Sequence, residues 1–149
     1  MPAEEEAYFD TAFLFRLYWD DAGFEAVREF ASSTPGISCA LHGKVEFLAA
    51  AHRKFREGAE RGTINTLLDQ FLIDGRDGGI EWLPLTSEVM ARVDGVYRQA
   101  PADTFLRAAD ALHLATASVA GHRTIYSNDR HLLAAAPLFG LEGVDLTSG

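Results

Sequence analysis

The chain of 149 residues has room for one domain of ordinary size and is read as a single domain over residues 1–149. Apolar residues make up 48% and charged residues 23%, with 13 Gly and 5 Pro, a composition that excludes disorder and collagen-like repeats. Thirteen Lys and Arg against 22 Asp and Glu leave a net charge of -9, which excludes a polycationic sleeve for nucleic acid; any such contact is local or metal-mediated.

Ala7 to Asp10 reads as a short buried strand that hands over at Asp10 to helical spacing from Thr11 to Tyr18. Phe24, Val27, Phe30 and Ala31 recur at helical intervals, and Ser32 to Gly36 closes that helix before a second strand, Ile37 to Ala40. The single cysteine, Cys39, lies in that strand, so it forms no intramolecular disulfide and packs as a small hydrophobe. From Leu41 to Gly58 the positions Leu41, Val45, Leu48 and Phe55 mark the expected apolar face of a long helix, with Glu46 beside it. Thr63 to Ile73 repeats the pattern through Leu67, Leu68, Phe71 and Leu72, and Asp77-Gly78-Gly79 turns into a third strand, Ile80 to Leu83.

Thr86-Ser87 caps a helix carrying Val89, Val93, Val96 and Tyr97, which Pro101 ends. The stretch from Phe105 to Val119 is rich in Ala, which permits close approach to a sheet. Arg123 to Tyr126 is a fourth strand, Asp129 to Ala136 a helix, and Gly143 to Leu146 a fifth strand. This βα alternation needs crossover connections, hence an α/β fold of three layers, α/β/α, around a mainly parallel sheet of four to five strands. An acidic start, Met1 to Glu6, and the lack of any apolar run near 18 residues point to a cytoplasmic chain with no membrane partner.

In open parallel sheets the chemistry lies beyond the carboxyl ends of the strands. Asp10 closes the first strand, Asp129 follows the fourth, and Glu46 and Asp110 fall in or near the opening turns of two helices. Taken singly, Asp129 is also an ordinary helix cap, Glu46 a solvated helix edge and Asp110 an isolated acid on a small-residue helix. Two like charges about 4 Å apart repel by roughly 4 kcal/mol at an effective dielectric near 20, so converging carboxylates need protons or divalent cations. An oxygen-only donor set selects a hard ion, Mg²⁺ or Mn²⁺. His113, three residues after Asp110, is open to packing, to support of a neighbouring carboxylate, or to general-base chemistry. Arg53, Lys54 and Arg56 suit phosphates or simply a solvated face, and Arg130 beside Asp129 suits a substrate or a neighbouring acid. A receiver domain lacks its late Lys here, since Lys44 and Lys54 are the only two, and a dehalogenase-type phosphatase lacks its second Asp at Ala12. No Walker loop or dinucleotide fingerprint is present.

Four segments together carry a resemblance: Tyr8 to Leu14; Ser38 to Leu41 with Val45 to Leu48; Ala109 to Ala117; and Tyr126 to Leu133. With them the chain resembles the PIN-domain family, and within it the small ribonuclease toxins of the VapC type. The resemblance implies a metal-dependent endoribonuclease with Asp10, Glu46, Asp110 and Asp129 as its catalytic, metal-holding acids and Mg²⁺ or Mn²⁺ as cofactor. It also implies an RNA substrate, a homodimer and a cognate antitoxin whose basic side chain enters the acidic pocket. A hydroxyl frequent in the family two residues after the first acid is Ala12 here. Thr11 and Ser127 remain as hydroxyls able to orient a carboxylate or a bound water. Two other readings stay open at this point: a PIN fold kept for binding alone, and an RNA-processing nuclease with no toxin role.

Overall fold

The computed structural model describes residues 6–148, so the acidic start of the chain lies, apart from Glu6, outside the described residues. Strand β1 (Ala7–Phe9) is buried throughout and leads through Asp10 into a short helix, α1 (Thr11–Phe15). Gly23, at φ 84°, turns the chain into α2 (Phe24–Ser32) in a conformation that only glycine adopts freely. Then follow β2 (Ile37–Ala40), α3 (Gly43–Arg56), α4 (Arg61–Arg76) and β3 (Ile80–Leu83). Helix α5 (Ser87–Gln99) is capped as expected by Thr86, whose hydroxyl accepts the Val89 N–H at 3.1 Å. After it come α6 (Ala108–Val119), β4 (Thr124–Tyr126), α7 (Arg130–Ala135), a 3₁₀ turn over Ala136–Phe139 and β5 (Glu142–Val144). Helix α6 starts later than the Phe105 expected because Arg107 is extended, at φ -76° and ψ 152°.

The five strands form a parallel sheet in the order β3-β2-β1-β4-β5. The chain steps outward from β1 to β3, then returns across the sheet through α5 and α6 to lay β4 on the other side of β1. That reversal is a topological switch point, and it falls between β1 and β4. Side chains alternate across β1: Ala7 and Phe9 enter one core with Phe13, Val27, Phe47 and Phe71, while Tyr8 enters the other with Val89, Leu114, Ile125 and Leu132. Helices therefore cover both faces of the sheet, the three-layer α/β/α arrangement expected. Among the described residues no helix is long and apolar enough to cross a membrane.

The buried face of α3 differs from the expected one. Leu41, Val45 and Leu48 are exposed, Val45 by 68%, and the residues turned inward are Gly43, Phe47 and Ala51. Both sets recur at helical spacing; the second wins because its small members let the helix approach closely while Phe47 stacks flat on Phe71, ring centroids 3.6 Å apart. On α4 the inward face is Ile64, Leu67 and Phe71, and Leu72 points out. Val27, Leu67 and Phe71 are core residues. Phe47→Ala is expected to cost about 3–5 kcal/mol and Val45→Ala no more than about 0.5 kcal/mol in chemical denaturation; equal losses would contradict this orientation of α3.

Candidate active site

The carboxyl end of β1 delivers Asp10 into a desolvated position: the residue is 6% exposed. Its Oδ1 accepts the Phe13 N–H at 2.9 Å, capping α1, and its Oδ2 accepts the Ser127 hydroxyl at 2.5 Å from the loop after β4. Burial pushes the Asp10 carboxyl above its ordinary range, against the lowering effect of Ser127, the Phe13 N–H and the charges of His113 and Arg16. Ser127 reaches further, because its Oγ accepts the Asp129 N–H at 3.0 Å. Asp129 is the N-cap of α7 through its Oδ1, which accepts the His131 and Leu132 N–H groups at 2.8 and 3.1 Å. Those bonds and Arg107 hold its carboxyl below the usual range although burial works the other way. Its Oδ2 is left to face the site.

Arg107 takes up that oxygen. Its Nη2 donates to Asp129 Oδ2 while its Nε donates to Asp110 Oδ2 at 3.0 Å, so one guanidinium bridges two of the acids. Asp110 lies in the first turn of α6 with its side chain 14% exposed. Arg107 is not among the candidates marked in the sequence, where its one signal is the i,i+3 spacing to Asp110.

Glu46, in the first turn of α3, faces a different set of partners. Its Oε1 accepts the Thr11 hydroxyl at 2.8 Å and stands 2.6 Å from His113 Nε2 and 3.4 Å from His42 Nε2. Burial opposes ionisation of Glu46, yet the hydrogen bond and charge of His113, with Thr11 and His42, outweigh it and hold the carboxyl down at about 2. His113 is itself buried, and burial opposes its charge too; its contact with the Cys39 sulfur and the hydrogen bond and charge of Glu46 prevail and raise it to about 10. Its Nδ1 meets the Tyr8 hydroxyl at 2.6 Å, and the same oxygen accepts the Ala40 N–H. His42 was not singled out in the sequence, although its i,i+4 spacing to Glu46 was available there.

All four acids thus stand past strand carboxyl ends or in helix first turns, linked by short bonds. Ser127 joins Asp10 to Asp129, Arg107 joins Asp129 to Asp110, and the contact of His42 Nε2 with the Ala109 carbonyl, 3.2 Å, ties the α6 turn to the α3 turn. They do not crowd together. Among the described residues, the set of three ligand-bearing side chains within 4.8 Å of one another is His42, Glu46 and His113. Thr11 and Ser127 are the hydroxyls on Glu46 and Asp10. Lys54 of the basic cluster is held by Asp21 at 2.7 Å, His52 and His131 make ring contacts with Phe55 and Phe105, and Arg130 is exposed at the start of α7.

The PIN domain family model matches residues 7–137. None of the curated proteins matches the sequence. Solved structures do resemble the fold. FitAcB from Neisseria gonorrhoeae has a TM-score of 0.70 at 16% identity, covering 94% of this chain and 97% of its own. VapC20 from Mycobacterium tuberculosis, described as a sarcin-ricin loop cleaving toxin, has 0.67 at 16%, covering 87% and 95%. VapBC2 from Rickettsia felis, bound to a DNA fragment from their promoter, has 0.66 at 10%, covering 95% and 98%. At these identities the likeness is one of fold.

The lowered Glu46 carboxyl sets a pH dependence. Its folded value lies below the unfolded 4.5, so its contribution to stability is complete above about pH 4.5 and is lost as pH falls toward about 2. In chelator, the stability difference between wild type and Glu46→Gln should therefore shrink across that window in thermal melts. A difference independent of pH from 5 to 2 would contradict the assignment.

Proposed function

The chain belongs to the PIN domain family, and on that premise we propose that it is a metal-dependent endoribonuclease, a single domain over residues 1–149, that hydrolyses phosphodiester bonds in RNA as the toxin of a type II toxin–antitoxin pair. The observation that carries this reading is the gathering of Asp10, Glu46, Asp110 and Asp129 at the carboxyl edge of the sheet, beside its switch point.

The donor set fits a divalent ion. Asp10, Glu46, Asp110 and Asp129 offer only oxygens, the chemistry Mg²⁺ and Mn²⁺ take, and a cationic guanidinium already sits on two of them. When bound, such an ion supplies charge neutralisation at the scissile phosphate and lowers the pKa of a water. The rest is the work of this chain's residues. Ser127 and the Phe13 N–H fix the Asp10 carboxylate in one orientation, and the α7 N–H groups fix Asp129. Arg107, half exposed at the rim, would donate to a phosphate oxygen of the RNA if an ion took its place on the acids. Water attacks phosphorus in line and the 3′ oxygen leaves, giving 5′-phosphate and 3′-hydroxyl ends.

The sarcin-ricin loop cleavage attached to VapC20 supports RNA as the substrate class. VapBC2, seated on promoter DNA, supports a cognate antitoxin as partner, and the exposed Leu41, Val45 and Leu48 give such a partner an apolar face. A homodimer and a cytoplasmic location belong to the same reading.

Purified protein is expected to cleave single-stranded RNA, to stop in excess chelator and to resume with Mg²⁺ or Mn²⁺. Cleavage that survives complete chelation, or a 2′,3′-cyclic phosphate at the new end, would contradict the reading. Asp110→Asn should lower cleavage by more than about 100-fold, beyond the roughly 10–100-fold typical of losing an outer partner, with the melting temperature in chelator held or raised. Its Arg107 partner keeps Asp129, so a melting temperature several degrees lower would instead mark Asp110 as structural.

A further inference from the structure

The trio His42, Glu46 and His113 is not explained by an all-oxygen metal site. Two imidazoles and a carboxylate converge with their ligating atoms within 4.8 Å: His42 at the N-cap of α3, Glu46 four residues on in its first turn, and His113 on α6. We propose that these three side chains form a nitrogen-and-oxygen site for a borderline divalent transition ion of the Zn²⁺ class, distinct in its donors from the acids that would take Mg²⁺ and sharing with them only Glu46. The inference rests on the functional reading above for nothing but that shared residue.

The geometry is close to what an ion needs. Imidazole nitrogen and carboxylate oxygen bind Zn²⁺ at about 2.0–2.2 Å, so two ligands of one tetrahedral ion stand roughly 3.3–3.6 Å apart. His42 Nε2 and Glu46 Oε1 are already 3.4 Å apart, and His113 Nε2 to the same oxygen, 2.6 Å, has to open by less than about 1 Å. The ion takes the place of the proton between His113 and Glu46, and displaces the contact of His42 Nε2 with the Ala109 carbonyl.

The outer support of such a site is built as well. A ligating histidine nearly always donates its other ring N–H to a fixed acceptor, which sets both ring orientation and tautomer. His113 Nδ1 has the Tyr8 oxygen at 2.6 Å, and Tyr8 is wholly buried with its oxygen fixed by the Ala40 N–H. Thr11 Oγ1 holds Glu46 Oε1 in turn. Gly43 lets the α3 turn settle on β2 beside the trio. A Cβ there would come within 2.6 Å of Cys39 Sγ and 3.2 Å of Thr11 Oγ1, the hydroxyl that holds Glu46, so a side chain would disturb that support. Access comes from the solvent side, where the His42 and Glu46 side chains are 25% and 36% exposed.

Two imidazoles decide the class of ion. Nitrogen donors favour Zn²⁺, Co²⁺ and Ni²⁺, whereas Mg²⁺ takes oxygen and holds its waters. Three protein ligands leave positions open on the ion, as in sites that react and unlike closed structural ones.

The test titrates metal-free protein with Co²⁺, follows its visible absorption, and reads affinity by competition with Zn²⁺. Wild type should take up one Co²⁺ with a band that Zn²⁺ removes and a large excess of Mg²⁺ does not. His42→Ala, at a partly exposed position, should weaken Co²⁺ at least about tenfold with an unchanged circular dichroism spectrum. Asp110→Asn should keep the band. Loss of the band in Asp110→Asn but not in His42→Ala would place the ion on the acids and overturn the proposal, as would displacement by Mg²⁺ or no band at all. None of these readouts involves RNA cleavage, so failure here and failure of the nuclease reading are separate results.

Discussion

Carboxylates set along the edge of a parallel sheet, away from bulk water, have to be neutralised where they stand, and the arrangement around them follows from that requirement. Asp10 is the extreme case, buried at the end of β1 with a carboxyl raised by desolvation. Its two oxygens are taken by a backbone N–H and a serine hydroxyl, neutral donors that fix it without cancelling its charge. Charge is cancelled around it instead: Arg107 sits on Asp110 and Asp129, and His113 sits on Glu46. The site is thus divided into an arginine-bound oxygen half and an imidazole-bound half, joined through Thr11 and Asp10, which are adjacent in sequence.

The sheet order puts these groups together. With β1 in the middle and β4 laid beside it only after the chain has crossed the sheet, Asp10 and Ser127 meet although 117 residues separate them. The Ala-rich α6 then lies close over the sheet, with Ala111, Leu114, Ala115 and Ala117 fully buried, and carries Asp110 and His113 to the same edge. Small side chains here are what lets two functional ones arrive.

Much of this was legible in the sequence, because alternation of short apolar runs with helical stripes specifies a covered parallel sheet, and acids placed at the handover points specify its edge. Strand β3 and the Thr86 cap fall where the pattern put them. The inward face of α3 did not, since Leu41, Val45 and Leu48 make as good a stripe as Gly43, Phe47 and Ala51, and only packing against Phe71 chooses between them. Arg107 and His42 were hidden for a related reason. Each is a polar residue at a helix N-cap, three or four residues before an acid of the first turn, a spacing common at solvated helix ends, and its meaning appears only when a third element supplies the other partner. Tyr8 looked like core and is core, but its hydroxyl is also the anchor of His113.

In the proposed function a divalent ion takes the place of the Arg107 guanidinium among the acids. A crystal structure of the protein soaked in Mn²⁺, with anomalous data, addresses it directly. The expected result is an anomalous peak on the carboxylate oxygens of these acids, with the Arg107 guanidinium moved off Asp110 and Asp129. Arg107 still bridging Asp110 and Asp129, with no peak beside them at millimolar Mn²⁺, would contradict it.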